Sequence, residues 1–204
     1  MDVELLHFTP LSVADMAIGK CHNKGRYEGE KMRNRLKRVA VKQKHGSVIE
    51  HLVYSFDIVG ISRGCLQELA RHRIASMSVK STRYTLKELK DASDWELPFY
   101  IVQMDDPELH SKAILQLKIV REMLNRGYPN DKAKYLLPES YKTELIWTIN
   151  ARSLRNFLKL RADKSAWLEI RRLAMRVYEK LPDGHKFLFK DCIDDDRETD
   201  NQAE

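Results

Sequence analysis

The residues best equipped for chemistry lie between Arg71 and Tyr84. Fourteen positions there hold four fixed cations (Arg71, Arg73, Lys80 and Arg83), one histidine, four Ser and Thr hydroxyls, one phenol and no acid. Planar guanidinium forks suit a phosphate or carboxylate, and hydroxyls complete its hydrogen bonds. The stretch reads as an anion site, although a solvated basic face or an RNA-contacting loop has the same composition. Two other clusters carry polar chemistry. His45, Ser47, Glu50 and His51 gather within seven residues, and Asn150, Arg152, Asn156 and Arg161 follow one another near the end of the chain. Arg152 and Asn156 are four apart, so on a helix they share a face.

These clusters need elements to hold them. Val3 to Phe8 reads as a strand stopped by Thr9-Pro10, and Leu11 to Lys20 as a helix. After a polar loop, Lys31 to Gln43 resumes helical spacing at Met32, Leu36 and Val39. Leu52, Tyr54, Phe56 and Ile58 alternate along a strand that runs directly out of the His45 cluster. Ser62 is placed to cap a helix through Leu66 and Leu69, so the basic stretch starts at a helix end, continues as a loop and closes on a β-prone Arg83-Tyr84-Thr85. Residues 86 to 106 read as irregular, Glu108 to Arg126 as a long helix closed by Gly127, and Asp131 to Leu137 as one or two helical turns. Tyr141 to Asn150 is strand-like, Ala151 to Leu160 helical, and Ser165 to Leu181 an amphipathic helix burying Trp167, Ile170, Leu173, Ala174, Val177 and Tyr178. His185 to Ile193 is expected to be a last short helix. Helices without regular β-α-β alternation give an α+β class, mostly helical, around a small antiparallel sheet.

The totals bound the function. A chain of 204 residues supports one well-buried domain, expected here over residues 1–193, with an acidic, frayed tail over 194–204. The net charge of +6 favours anionic partners without choosing among them. Three widely spaced cysteines, Cys21, Cys65 and Cys192, argue against a disulfide framework and for a reducing cytoplasm. Without an apolar run near the roughly 20 residues that span a bilayer, or a secretory start, a soluble protein is expected.

Taken together and in order, the three clusters resemble the flavin-dependent thymidylate synthases. That family's signature is Arg-His-Arg, seven residues, Ser, then a spaced Arg-Tyr, matched by Arg71-His72-Arg73, Ser81 and Arg83-Tyr84. Its His-x-Ser/Thr-x-x-Glu-His segment is matched by His45, Ser47, Glu50 and His51, and its Asn-Ala-Arg-Ser-Leu-x-Asn-Phe-Leu-x-Leu-Arg segment by Asn150 through Arg161. Leu137-Pro138 and Tyr141 match a Leu-Pro-x-x-Tyr element between them, so the resemblance covers almost the whole chain.

The resemblance implies reductive methylation of dUMP to dTMP, with methylenetetrahydrofolate as carbon donor, FADH2 as hydride donor and NADPH to re-reduce the flavin. It implies a homotetramer with shared active sites, no nucleic-acid or membrane partner, and no metal. Substrate contacts carry over to Glu68, Arg71, Ser81, Thr82, Arg83, Lys134 and Arg161, and FAD contacts to His45, Ser47, Glu50, Arg71, His72, Arg73, Asn150, Arg152 and Asn156. Arg161 faces the pyrimidine, where a fixed cation stabilises charge developing on the uracil oxygens. Ser81 is the other catalytic candidate, as a nucleophile or, since no residue is placed in sequence to act as its base, as a phosphate or ribose donor. Cys65 is a thiolate candidate or a small buried helix residue.

Departures from the family pattern are expected to alter details of binding. Glu68 replaces a common Gln, Ser78, Val79 and Thr82 replace the usual Asn, acid and Gly, Lys134 stands for an arginine, and Ser165 for a histidine. Two readings of other classes stay beside the enzyme: a basic nucleotide- or RNA-binding protein, and a family flavoprotein that lacks methyl transfer.

Overall fold

A computed structural model of the chain describes residues 1–193, so the expected acidic tail lies outside the described residues. Strand β1 (Asp2–Phe8) ends at Thr9-Pro10, and Pro10 precedes helix α1 (Leu11–Cys21). Helix α2 (Gly29–Leu36) continues into a π-helical turn at Lys37–Lys42 and, after a short loop, a 3₁₀ turn at Gly46–Ile49. Strand β2 (Val53–Ser62) follows, with Tyr54, Phe56 and Ile58 wholly buried at the two-residue period a half-buried strand requires. Ser62 ends the strand and starts helix α3 (Arg63–Ala70), its Oγ accepting from the Cys65 N–H at 2.9 Å.

Strand β3 (Ala75–Val79) and the helical turn α4 (Thr82–Thr85) occupy the basic stretch. Helix α5 (Pro107–Asn125) opens on an Asp106 cap and Pro107, and closes at Gly127, whose φ of +88° belongs to the left-handed region where glycine has no Cβ penalty. After α6 (Asn130–Ala133), strand β4 (Lys142–Asn150) runs without a loop into helix α7 (Ala151–Arg161). Helix α8 (Leu168–Lys180), the single turn α9 (Asp183–Lys186) and a 3₁₀ turn at Lys190–Cys192 complete the described chain, so the helix expected over His185 to Ile193 is instead two separate short turns. The four strands form one antiparallel sheet in the order β1-β2-β4-β3, which confirms the α+β class.

The chain divides into two compact units whose boundaries fall inside the strands except at Arg71–His72, between α3 and β3. One comprises Met1–Asp2, Ile58–Arg71 and Met77–Ile146; the other comprises Val3–Asp57, His72–Ser76 and the described residues from Trp147 onward. The core of the first contains Leu86, Leu97, Ile101, Leu117, Val120 and Tyr141, so the irregular 86–106 segment is pinned by apolar packing and 3₁₀ turns. The second is aromatic: Trp147 lies 6.1 Å from Phe56 and 5.0 Å from Phe157, and Tyr54 5.8 Å from Phe189, as ring centroids.

Two further expectations are corrected. The basic stretch is not a loop with a β-prone end: its middle pairs as β3, just beyond which the Lys80 N–H donates to the Glu144 carbonyl at 2.9 Å, and its end turns helical because the Ser81 carbonyl accepts from the Tyr84 and Thr85 N–H groups. Local hydrogen bonding overrides the β propensity of Tyr84 and Thr85. Trp167 is 51% exposed instead of buried, because α8 begins at Leu168, three residues after the expected start, and leaves Trp167 as its N-cap; Tyr178, also expected in the core, is half-buried.

Candidate active site

In the second unit the His45 cluster and α7 are joined by one ion pair. Arg152 Nη1 donates to Glu50 Oε1 at 2.6 Å, and its stem lies across Gly46, where an added Cβ would stand 3.1 Å from Arg152 Cδ and Nε. A side chain at this position would push the arginine stem aside by a few tenths of an ångström. The turn presents His45 and Ser47 as exposed groups, and Asn156, one turn beyond Arg152 on α7, is exposed too. Asn150 has a structural duty: its Oδ1 accepts from the Ser153 N–H at 2.9 Å and caps α7. The α7 start is further pinned by the Ala151 N–H donating to the Leu52 carbonyl at 2.7 Å.

At the other end of α7, Arg161 Nε donates to His72 Nε2 at 3.1 Å. His72 is only 8% exposed, and its ring meets Phe157 edge-on with centroids 5.0 Å apart. Arg73, the next residue, is exposed. Ser165, where the family often has histidine, closes a turn by donating its N–H and hydroxyl to Asp163 Oδ1.

In the first unit the basic stretch is less bare than its composition implies. Arg71 lies 3.7 Å from Glu68, Arg83 lies 3.6 Å from Asp131, and Lys80 lies 3.3 Å from Glu88 and 3.5 Å from Glu144. Partial burial works against the charge on Lys80, and the two carboxylates outweigh it, so its pKa is raised. Glu68 is a helical neighbour of Arg71, but Glu88, Asp131 and Glu144 come from other elements, which is why a local reading misses them. The Arg83 carbonyl accepts from Asn130 Nδ2 at 2.7 Å, tying α4 to α6. Ser81 is exposed, Thr82 is half-buried, and Lys134 is half-buried with Nζ 5.9 Å from the Tyr135 ring centroid. Cys65 is wholly buried in α3, which favours packing over thiolate chemistry.

The structure thus brings Glu50 and Arg152 together, and His72 with Arg161, and it shows Glu68 as a partner of Arg71. The contributions of Gly46, Phe157, Asn130 and Asp131 carried no signal in the sequence beyond ordinary residue types.

A family model described as thymidylate synthase complementing protein matches residues 5–184. The flavin-dependent thymidylate synthase of Wolinella succinogenes is 52% identical over 198 residues, covering 93% of this chain and 97% of that one. The enzyme of the same name from Campylobacter jejuni strain RM1221 is 49% identical over 207 residues, covering 97% of this chain and all of the relative. The crystal structure of Helicobacter pylori thymidylate synthase ThyX with FAD and dUMP matches with a TM-score of 0.90 at 42% identity, covering 95% of this chain and 99% of that chain. With the motif residues present in order and the fold in agreement over nearly the full length, this chain belongs to the flavin-dependent thymidylate synthase family.

Proposed function

We propose that this protein converts dUMP to dTMP by reductive methylation. Similarity to flavin-dependent thymidylate synthases over nearly the full length, with Arg161 present and held at the end of α7, is the observation that carries the reading. FAD, kept reduced by NADPH, supplies the hydride, while methylenetetrahydrofolate supplies the carbon. The residues suit such a cofactor. His45, Ser47, Arg73, Arg152 and Asn156 are exposed donors, and Gly46 leaves the room that Arg152 needs. Arg152, held by Glu50, would face the flavin's anionic portion, and Asn150 supports it by capping the same helix.

Arg71, Ser81, Thr82 and Arg83 serve the dUMP phosphate and sugar, with Lys134 adding a cation. Glu68 contributes through Arg71, with which it pairs. Arg161 stabilises negative charge developing on the pyrimidine oxygens and is the catalytic residue; Ser81 acts as a donor. In a homotetramer with shared sites, these groups need not come from one copy of the chain. Residues 1–193 make up one synthase domain in this reading, and the protein works in the cytoplasm. Among the described residues no helix is long and apolar enough to cross a membrane.

Purified protein is expected to carry yellow flavin and to oxidise NADPH faster when dUMP is present, with dTMP as product. A colourless protein without dUMP-dependent oxidation overturns the reading. Arg161→Ala is expected to slow dTMP formation by about 10²–10³-fold. Dimmed flavoprotein activity without any dTMP would point instead to a member lacking methyl transfer. Unchanged dUMP affinity in Lys134→Ala would remove that residue from the site.

A further inference from the structure

The bond between Arg161 and His72 decides the state of the histidine. A guanidinium has only donors and stays charged, so Nε2 of His72 must be the acceptor. The ring is then neutral with its proton on Nδ1. A protonated ring would have no lone pair for Arg161 and would set a second cation 3.1 Å from the first.

The ring is also fixed in place. Phe157 lies four residues before Arg161 and so on the same face of α7, and its own ring is wholly buried and packed on Trp147. His72 meets Phe157 edge-on and is nearly inaccessible. Trp147, Phe157 and His72 therefore form a strut that ends on the inner nitrogen of the Arg161 guanidinium. An arginine side chain has several rotatable bonds, and charge developing on a reacting ring is stabilised only by a donor oriented in advance.

We propose that His72 is the positioning residue for Arg161. It acts as a neutral Nδ1–H imidazole that sets the plane of the guanidinium, and not through a direct Nε2 contact to flavin. The proposal rests on the reading of Arg161 as the residue that faces the pyrimidine.

The test compares His72→Ala, His72→Gln and His72→Asn with the wild-type holoenzyme. His72→Ala is expected to lower kcat for dTMP formation by about 10- to 100-fold, with KM for dUMP within about 3-fold of wild type and flavin content unchanged. A glutamine carbonyl reaches about as far as Nε2, so His72→Gln restores most of kcat, whereas the shorter His72→Asn does not. In an Arg161→Ala background, adding His72→Ala costs no further rate, because the two act as one unit. Nitrogen-15 NMR of the wild-type ring should show Nδ1 protonated and Nε2 bare at neutral pH, a signature that changes in Arg161→Ala.

Loss of flavin with kcat retained in the loaded fraction, independent effects of the two substitutions, or an Nε2-protonated ring would each overturn the proposal. If His72→Ala does not fold, the glutamine and asparagine variants decide, and equal kcat in both is the overturning result. A wild-type protein that makes no dTMP overturns the functional reading first, and this proposal with it.

Discussion

Two arginines of each unit are held in opposite ways. In the second, Arg35 is 4% exposed and meets a fully buried Asp15, donating Nε to Oδ1 at 2.7 Å, while Arg155 takes both oxygens of Asp191 at 2.7 Å and also donates to the Leu188 carbonyl. In the first, Arg71 is 73% exposed and Arg83 65%, each facing its acid at more than 3.5 Å. Buried pairs are costly to break because the remaining charge is stranded, whereas exposed pairs contribute about 0–1 kcal/mol. Arg35 and Arg155 are therefore fixed before any ligand arrives, whereas Arg152 of the same unit stays exposed in its pair with Glu50. The first unit keeps Arg71 and Arg83 in loose pairs that an anionic ligand can displace.

The largest effect that would break this contrast is in the buried pair. Asp15→Ala strands Arg35 and also removes the acceptor of the Tyr27 N–H at 2.8 Å, so thermal or urea unfolding should show a loss of about 3–5 kcal/mol. A loss below about 1 kcal/mol would erase the distinction.

Next comes pH. His185 is buried against Tyr54, with 2.8 Å between its Nδ1 and the phenol oxygen, and burial lowers its pKa to about 4. The unfolded chain binds the His185 proton near pH 6.5, while the folded chain resists it down to about 4. Stability is therefore complete above pH 6.5 and falls as pH drops toward 4, by up to about 3 kcal/mol. Urea unfolding at pH 7 and pH 5 should show this component in the wild type and not in His185→Gln.

A smaller effect is expected at Gly46. A methyl there stands 3.1 Å from the flexible stem of Arg152, which must shift and strain its bond to Glu50. Gly46→Ala should cost about 1–3 kcal/mol of stability and weaken flavin retention, measured by unfolding and by absorbance of the purified protein. Smallest of all, Asp131→Ala should change stability by less than about 1 kcal/mol, while leaving dUMP binding intact or tighter by isothermal titration.

Much of the framework was legible from local rules. The alternation of Leu52, Tyr54, Phe56 and Ile58, the Ser62 cap and the Gly127 stop each depend on neighbours within a few residues. What escaped were contacts between distant segments. Glu50 and Arg152 are 102 residues apart and His72 and Arg161 are 89 apart, so no spacing rule links them. The β3 strand was missed for the same reason, since its evidence is the β4 ladder and not its own composition.

The sequence by itself determined the class of the fold, the family and the types of group available for an anionic nucleotide and a flavin, because those follow from ordered motifs and residue chemistry. Only the tertiary structure decided which of those groups are already spoken for: Asn150 as a helix cap, Glu50 as the anchor of Arg152, and His72 as a hydrogen-bond partner of Arg161. Hydrogen-bond partnership is a matter of distance and direction in space, and the linear order of residues does not encode it directly.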